Sequence, residues 1–201
     1  MKKIIMTVVA AAAILTTSAN AKDINLKNFE NVSIGAQVGE VNSYGDIVIS
    51  SKYDYRLHDN VSLTGSTAVS LMKSNAEQNL GLKYNFDQNF YVASAVGYET
   101  LVIRKTHDSV NNVNYVVSDS KRFYQPTVNL LAGINADKDS VEFAVKKGYS
   151  SFKMSVDYTF NLNKRTDLFI SLDNRVITDK APTGFKYDTE RNFRLGYNFK
   201  F

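Results

Sequence analysis

The chain has 201 residues, enough for one domain, with a formal net charge of +4 and an ordinary hydrophobic share of 44%. It has no cysteine, which excludes a disulfide framework, a thiolate metal site and a lipid-acylated cysteine. The pI of about 9.1 is no nucleic-acid signature, because no basic helix or cluster accompanies it.

The first segment reads as a secretory signal over residues 1–21. Met1-Lys2-Lys3 is a short positive start, residues 4–15 are apolar, and Ser18-Ala19-Asn20-Ala21 supplies the small residues of a cleavage site. The apolar run is shorter than the roughly 20 residues that a spanning helix needs. Cleavage leaves residues 22–201 as the mature domain, and the loss of Lys2 and Lys3 halves the net charge.

After residue 21 no run is long and apolar enough for a membrane helix, and the pattern that recurs has period two, the mark of a strand with unlike faces. Val61, Leu63, Gly65, Thr67, Val69 and Leu71 alternate with Ser62, Thr64, Ser66, Ala68 and Ser70. Phe152, Met154, Val156, Tyr158 and Phe160 alternate with Ser151, Lys153, Ser155, Asp157 and Thr159. Ten such segments are expected, at about 31–41, 46–57, 61–72, 78–86, 89–103, 122–135, 140–147, 151–160, 167–177 and 189–201. If the seventh and eighth, joined by Lys146-Lys147-Gly148-Tyr149, are not separate strands, the count is eight.

The connections alternate between two kinds. Tight Asn/Asp turns lie at residues 57–61, 86–90, 135–139 and 161–166, where those side chains bond nearby backbone. The others, at 42–46, 73–77, 104–122 and 178–188, are more variable and mostly longer. Aromatics crowd the strand ends beside the tight turns: Tyr53, Tyr55, Tyr84, Phe86, Phe90, Tyr91, Tyr158 and Phe160. The 12 Tyr and 12 Phe all fall at or after Phe29, and there is no Trp.

One strand face is apolar. The other is too charged for a dry sandwich core, with Lys52, Asp54, Arg56, Lys83, Glu99, Glu142, Lys146, Lys153, Asp157, Asp173, Arg175, Arg194 and Lys200. Buried charges need partners, which a narrow wet lumen supplies. The expected fold is therefore all-β: a closed antiparallel transmembrane β-barrel, greasy outside and charged inside. Closure follows because an open sheet edge in lipid leaves backbone groups unpaired. Pro126 cannot donate to a ladder, so a bulge, or a strand start above the membrane, is expected there.

The last strand, Asn192-Phe193-Arg194-Leu195-Gly196-Tyr197-Asn198-Phe199-Lys200-Phe201, puts aromatics on one face and ends on one. Together with the signal segment and the Tyr55–Val61 turn, it resembles the small Gram-negative outer-membrane β-barrel proteins, which include the OmpA barrel, OmpX and the opacity proteins. The resemblance implies residence in the bacterial outer membrane, with tight turns in the periplasm and variable loops outside. It also implies that Tyr197, Phe199 and Phe201 form the signal read by the barrel-assembly machinery.

For chemistry, the sequence offers little. His58 reads as a solvated turn residue, and His107 beside Asp108 is a lone pair of neighbours with no nucleophile. No catalytic constellation, metal spacing, cofactor motif or phosphate-cradling glycine loop is present, so a non-enzyme without cofactors is expected. In the longest loop, Val110-Asn111-Asn112-Val113 suits a hairpin turn, which would carry strands five and six above the membrane as a ribbon able to pair with an extracellular protein. Arg104, Lys105, Lys121 and Arg122 flank it, placed to meet lipopolysaccharide phosphates. Three roles follow: a structural or adhesin-like surface protein with a charge-filled lumen, which is the preferred one, a small porin-like channel, or a hydrolase. Gly35, Gly81, Ala93, Ala95 and Gly97 are the small luminal residues that would leave a water path. Partners expected are outer-membrane lipid and lipopolysaccharide, the assembly machinery and an extracellular protein at residues 104–122, with no nucleic acid.

Overall fold

The computed structural model describes residues 28–41, 44–72, 75–105, 119–177 and 189–201. The signal segment at 1–21, His107 and the Asn111-Asn112 turn lie outside the described residues. Ten strands follow in chain order: β1 (Phe29–Val41), β2 (Tyr44–His58), β3 (Val61–Ser70), β4 (Ala76–Asn85), β5 (Phe90–Lys105), β6 (Asp119–Asn135), β7 (Asp139–Gly148), β8 (Ser151–Asn163), β9 (Thr166–Ile177) and β10 (Thr189–Lys200). Each pairs antiparallel with its chain neighbours, and β1 pairs with β10, so the sheet closes. The seventh and eighth segments are separate strands, joined at Tyr149-Ser150, which fixes the count at ten rather than eight.

The barrel is inverted relative to a water-soluble protein. Outward residues stay exposed, among them Val38 at 60%, Val96 at 65% and Leu130 at 60%. Meanwhile Glu99, Lys146, Asp173 and Arg175 are buried inside. A continuous apolar belt of this extent far exceeds the few hundred Å² that a soluble monomer leaves bare, whereas lipid wets it without cost. Rings gather at the end where both termini lie: Phe29 meets Tyr55 at 5.0 Å, and Tyr84 and Phe90 flank Phe86 at 5.0 and 5.3 Å. Amphipathic rings suit the headgroup boundary there.

That same end, the terminal rim, carries the tight turns, and side chains close them. Asp87 Oδ1 accepts from the backbone N–H of both Asn89 and Phe90 at 2.7 Å, and Asn163 Oδ1 accepts from the N–H of Arg165 at 2.9 Å. On β1 the register shifts between Glu30 and Ser33, and Asn31 lies there with φ 54°. Asn tolerates that left-handed conformation better than most residues, and its amide donates to Asp54 at 3.1 Å.

Two expectations change. Pro126 makes no bulge: it pairs opposite Tyr98 in an unbroken β5–β6 register. Its strand has outrun β7 at that point, since the β6–β7 ladder begins one residue later at Thr127 opposite Gly148. Tyr91 does not join the outer aromatics. Phe90 faces out, so the next residue on the strand faces in.

β5 and β6 outlast their neighbours. The β4–β5 ladder ends at Glu77 opposite Glu99, yet β5 and β6 stay paired from Thr100–Tyr124 to Lys105–Asp119. This two-stranded ribbon rises from the other end, the loop rim, by roughly 20 Å at about 3.3 Å per residue.

Candidate functional site: the barrel lumen

The inward residues of all ten strands make one charged interior, and closure of the ring decides which of them meet. In the half nearer the terminal rim, Lys52 Nζ on β2 lies 3.4 Å from Glu142 Oε1 on β7. Those strands are diametrically opposed in the ring, so this contact crosses the whole lumen. The Tyr91 hydroxyl donates to the other Glu142 oxygen at 2.7 Å, and Lys83 Nζ sits 4.3 Å above the Tyr91 ring. Lys83 also meets Asp54 at 2.9 Å, Lys200 meets Asp167 at 2.7 Å, and Arg56 pairs with Glu30 at the mouth. A cavity of about 420 Å³ runs through this half, with Ala93, Ala95 and Asp157 on its wall, and reaches up to Glu77, Asn79, Lys146 and Lys153. At about 30 Å³ per water it has room for roughly a dozen.

The half nearer the loop rim is tighter. Glu99, 2% exposed, is its hub. Arg175 Nη2 approaches one carboxylate oxygen at 3.2 Å from β9, and Lys146 Nζ approaches the same oxygen at 3.7 Å from β7. The other oxygen accepts from Gln125 at 2.5 Å and from Ser151 at 2.7 Å. Lys146 also pairs with Glu77 on β4. Beside the hub, Asp173 meets Arg194 at 3.2 Å, Lys153 at 3.8 Å and the Asn192 amide at 2.5 Å. Asn129 donates to Asn79 at 2.9 Å, and Asn79 to Glu77 at 3.0 Å. Beside the hub lies a smaller void of about 50 Å³.

These two halves differ in energy. Lys52 is 49% exposed, so its pair with Glu142 resembles a surface pair worth about 0–1 kcal/mol. Glu99 and Arg175 are nearly sealed. Removing one partner of such a buried pair costs about 3–5 kcal/mol.

Lys52, Asp54, Lys83, Glu142, Lys146, Lys153, Asp157 and Lys200 line the cavity, Glu99, Asp173 and Arg175 are buried, Arg194 pairs with Asp173, and Arg56 sits exposed at the mouth. Sequence reading missed Glu77, because its strand starts at Ala76, before the expected 78. It also missed Tyr91, Gln125 and Phe169. Of the small luminal residues, Ala93 and Ala95 do line the cavity. The space beside Gly35 is taken by Asn198 and that beside Gly97 by Asn79, so neither opens a path. Gly133 has a different use: the Tyr91 ring lies where its Cβ would stand. Gly133→Val should push Tyr91 off Glu142 and lower stability by about 1–3 kcal/mol. Urea unfolding of the reconstituted barrel measures this, and an unchanged midpoint would refute the packing role.

Elsewhere, His58 is exposed at the end of β2. Tyr197, Phe199 and Phe201 are exposed at the terminal rim, at 50%, 51% and 83%. Arg104, Lys105, Lys121 and Arg122 lie on the β5–β6 ribbon. Strand alternation and the Val102–Arg122 and Arg104–Ser120 pairs put positions 104 and 122 on one face of the ribbon and 105 and 121 on the other. Among the described residues no group of three or more His, Cys, Asp or Glu side chains is arranged to hold a metal ion.

Fold and interior together define a small transmembrane β-barrel with a charged, cross-bridged lumen. Solved structures similar to it include outer-membrane barrels. The NanC porin is 9% identical, with 85% of this chain and all of that one aligned at a TM-score of 0.48. The N-terminal barrel domain of Pseudomonas aeruginosa OprF is 16% identical over 87% of this chain and 98% of that one, with a TM-score of 0.39. Ail of Yersinia pestis, solved with a heparin analogue, is 10% identical over 86% and 98%, at 0.35. No protein-family profile and no curated protein matches the sequence.

Proposed function

We propose that this chain is an integral outer-membrane barrel whose lumen is closed by ion pairs and which acts at the surface through its loop rim, as a structural or adhesin-like protein. The observation that carries the reading is the sealed hub at Glu99, reached by Arg175 from four strands away round the ring. A solute entering the wide half would meet that hub. The β5–β6 ribbon supports the surface half of the reading. Among the described residues, one edge of β5 has no ladder with β4 above Glu99, and one edge of β6 has none with β7 above Thr127. Such edges accept a partner strand through main-chain hydrogen bonds. The basic residues expected at that rim, Arg104, Lys105, Lys121 and Arg122, would meet lipopolysaccharide phosphate there.

A small channel is the second reading, favoured by the 420 Å³ cavity. Liposome swelling separates the two. Vesicles holding the mature chain should swell no faster in small neutral sugars than empty ones, and faster swelling would hand the role to the channel. In the same vesicles, the paired ribbon should protect Lys105 and Lys121 from trypsin. Rapid cutting at both would mean a loose loop and would remove the strand-pairing surface.

A further inference from the structure

On the inward face, β7 and β8 twice set like charges directly opposite one another. Glu142 stands in register with Asp157 and, nearer the loop rim, Lys146 with Lys153. Like charges directly across a ladder destabilise it, so the sheet alone gives no reason for either pair. Between them lies a row of small side chains, Ala144 opposite Ser155. All of these line the lumen cavity of about 420 Å³, which extends to the turn residues Asn135 and Ala136 at the terminal rim. That volume lies within the roughly 300–1,000 Å³ range of ligand sites.

Ring closure neutralises one member of each pair from across the lumen. Lys52 reaches Glu142, and Glu77 reaches Lys146. The other charges on the cavity wall are also matched: Lys83 with Asp54, Lys200 with Asp167, and Asp139 with the Tyr158 hydroxyl. Asp157 and Lys153 remain. Ser171 bonds Asp157 from β9, while among the described residues Lys52 and Lys153 act on it only from beyond ion-pair distance. Its Oδ1 is buried with no hydrogen-bond partner. Lys153 finds Asp173 at 3.8 Å, but Arg194 holds that carboxylate more closely, at 3.2 Å. The register partners of Lys153 on both sides, Lys146 and Arg175, are cations. Asp173 stands level with Ser155, so Lys153 leans toward the small row. Its ammonium then lies one row, roughly 7 Å, from the level of Asp157.

We propose that the lumen binds a small zwitterion of the amino-acid type, with its ammonium on Asp157 and its carboxylate on Lys153, lying across Ala144 and Ser155. Such a ligand gives the buried Oδ1 of Asp157 a donor and Lys153 an acceptor that Arg194 does not share. A ligand with one charge would satisfy one end and leave the other bare. A neutral ligand would displace water from both ends without restoring its bonds. The site lies on the terminal-rim side of the Glu99 hub, so it does not depend on whether the lumen conducts.

Calorimetry on the folded mature chain in detergent micelles tests this with glycine, β-alanine and γ-aminobutyrate, in which the two charges stand progressively further apart. Butyrate and butylamine each keep one charge of the last. At least one zwitterion should bind about tenfold or more tighter than both, the worth of one charged hydrogen bond. Asp157→Asn and Lys153→Gln should each weaken it by about tenfold. Asp157→Asn also relieves the opposition with Glu142, so that variant should fold. Arg56→Gln, at the mouth, should leave the affinity unchanged. Butylamine as tight as the zwitterions would mean a cation site at the carboxylates, and butyrate as tight would mean an anion site at the lysines; either overturns the proposal. No binding of any zwitterion would mean that water alone fills the cavity. Unchanged binding in both Asp157→Asn and Lys153→Gln would place the ligand elsewhere. Each of these results also overturns it.

Discussion

Glu99→Ala should lower the unfolding free energy of the reconstituted barrel by about 3–5 kcal/mol, the cost of breaking a buried ion pair. Arg175 would lose a carboxylate at 3.2 Å, and Gln125 and Ser151 would both lose their acceptor. Lys146 keeps Glu77, so the damage centres on Arg175. Lys52→Ala, by contrast, should cost no more than about 1 kcal/mol, because Lys52 is half in water. Glu99→Gln keeps the shape and an acceptor oxygen, and its loss should fall between the two. Urea titration in lipid vesicles reads all three. Equal losses for Glu99→Ala and Lys52→Ala would mean that the hub is as wet as the mouth and seals nothing.

Leu195→Arg should be the most damaging single change on the outer face. Leu195 lies midway along β10, 39% exposed, between Phe193 and Tyr197. If lipid covers it, an arginine at mid-bilayer depth costs about 2–4 kcal/mol and lowers the yield of folded barrel. If water covered it, an exposed substitution would stay within about 0.5 kcal/mol. The sign and size of this one value therefore discriminate lipid from water as the outer solvent. A value near zero would contradict the transmembrane fold.

Much of this architecture is legible in the sequence, for a physical reason. Lipid outside and charge inside impose the same period-two contrast on every strand, so Phe152 to Phe160 or Phe193 to Phe201 reads as a strand without any structure. Turn chemistry places the breaks, as at Asp87 and Asn163. The side of a strand is harder to read at its ends. Tyr91 has the composition of a boundary aromatic, yet the parity set by Phe90 turns it inward, where its hydroxyl finds Glu142. Long-range partners are not legible at all. That Lys52 meets Glu142, or Glu99 meets Arg175, depends on strand number and on the stagger with which the ring closes. A one-residue slip in register would swap the two faces of a strand. Alternation supplies the charged residues but not who neutralises whom, and that pairing separates a closed lumen from a channel.

Single-channel recording of the refolded mature chain in a planar bilayer tests that distinction most directly. The ion-pair hub predicts a silent bilayer when the protein is folded and inserted, with current appearing in Glu99→Ala, where the hub is broken. Stable, reproducible conductance from the unaltered chain would contradict the closed lumen.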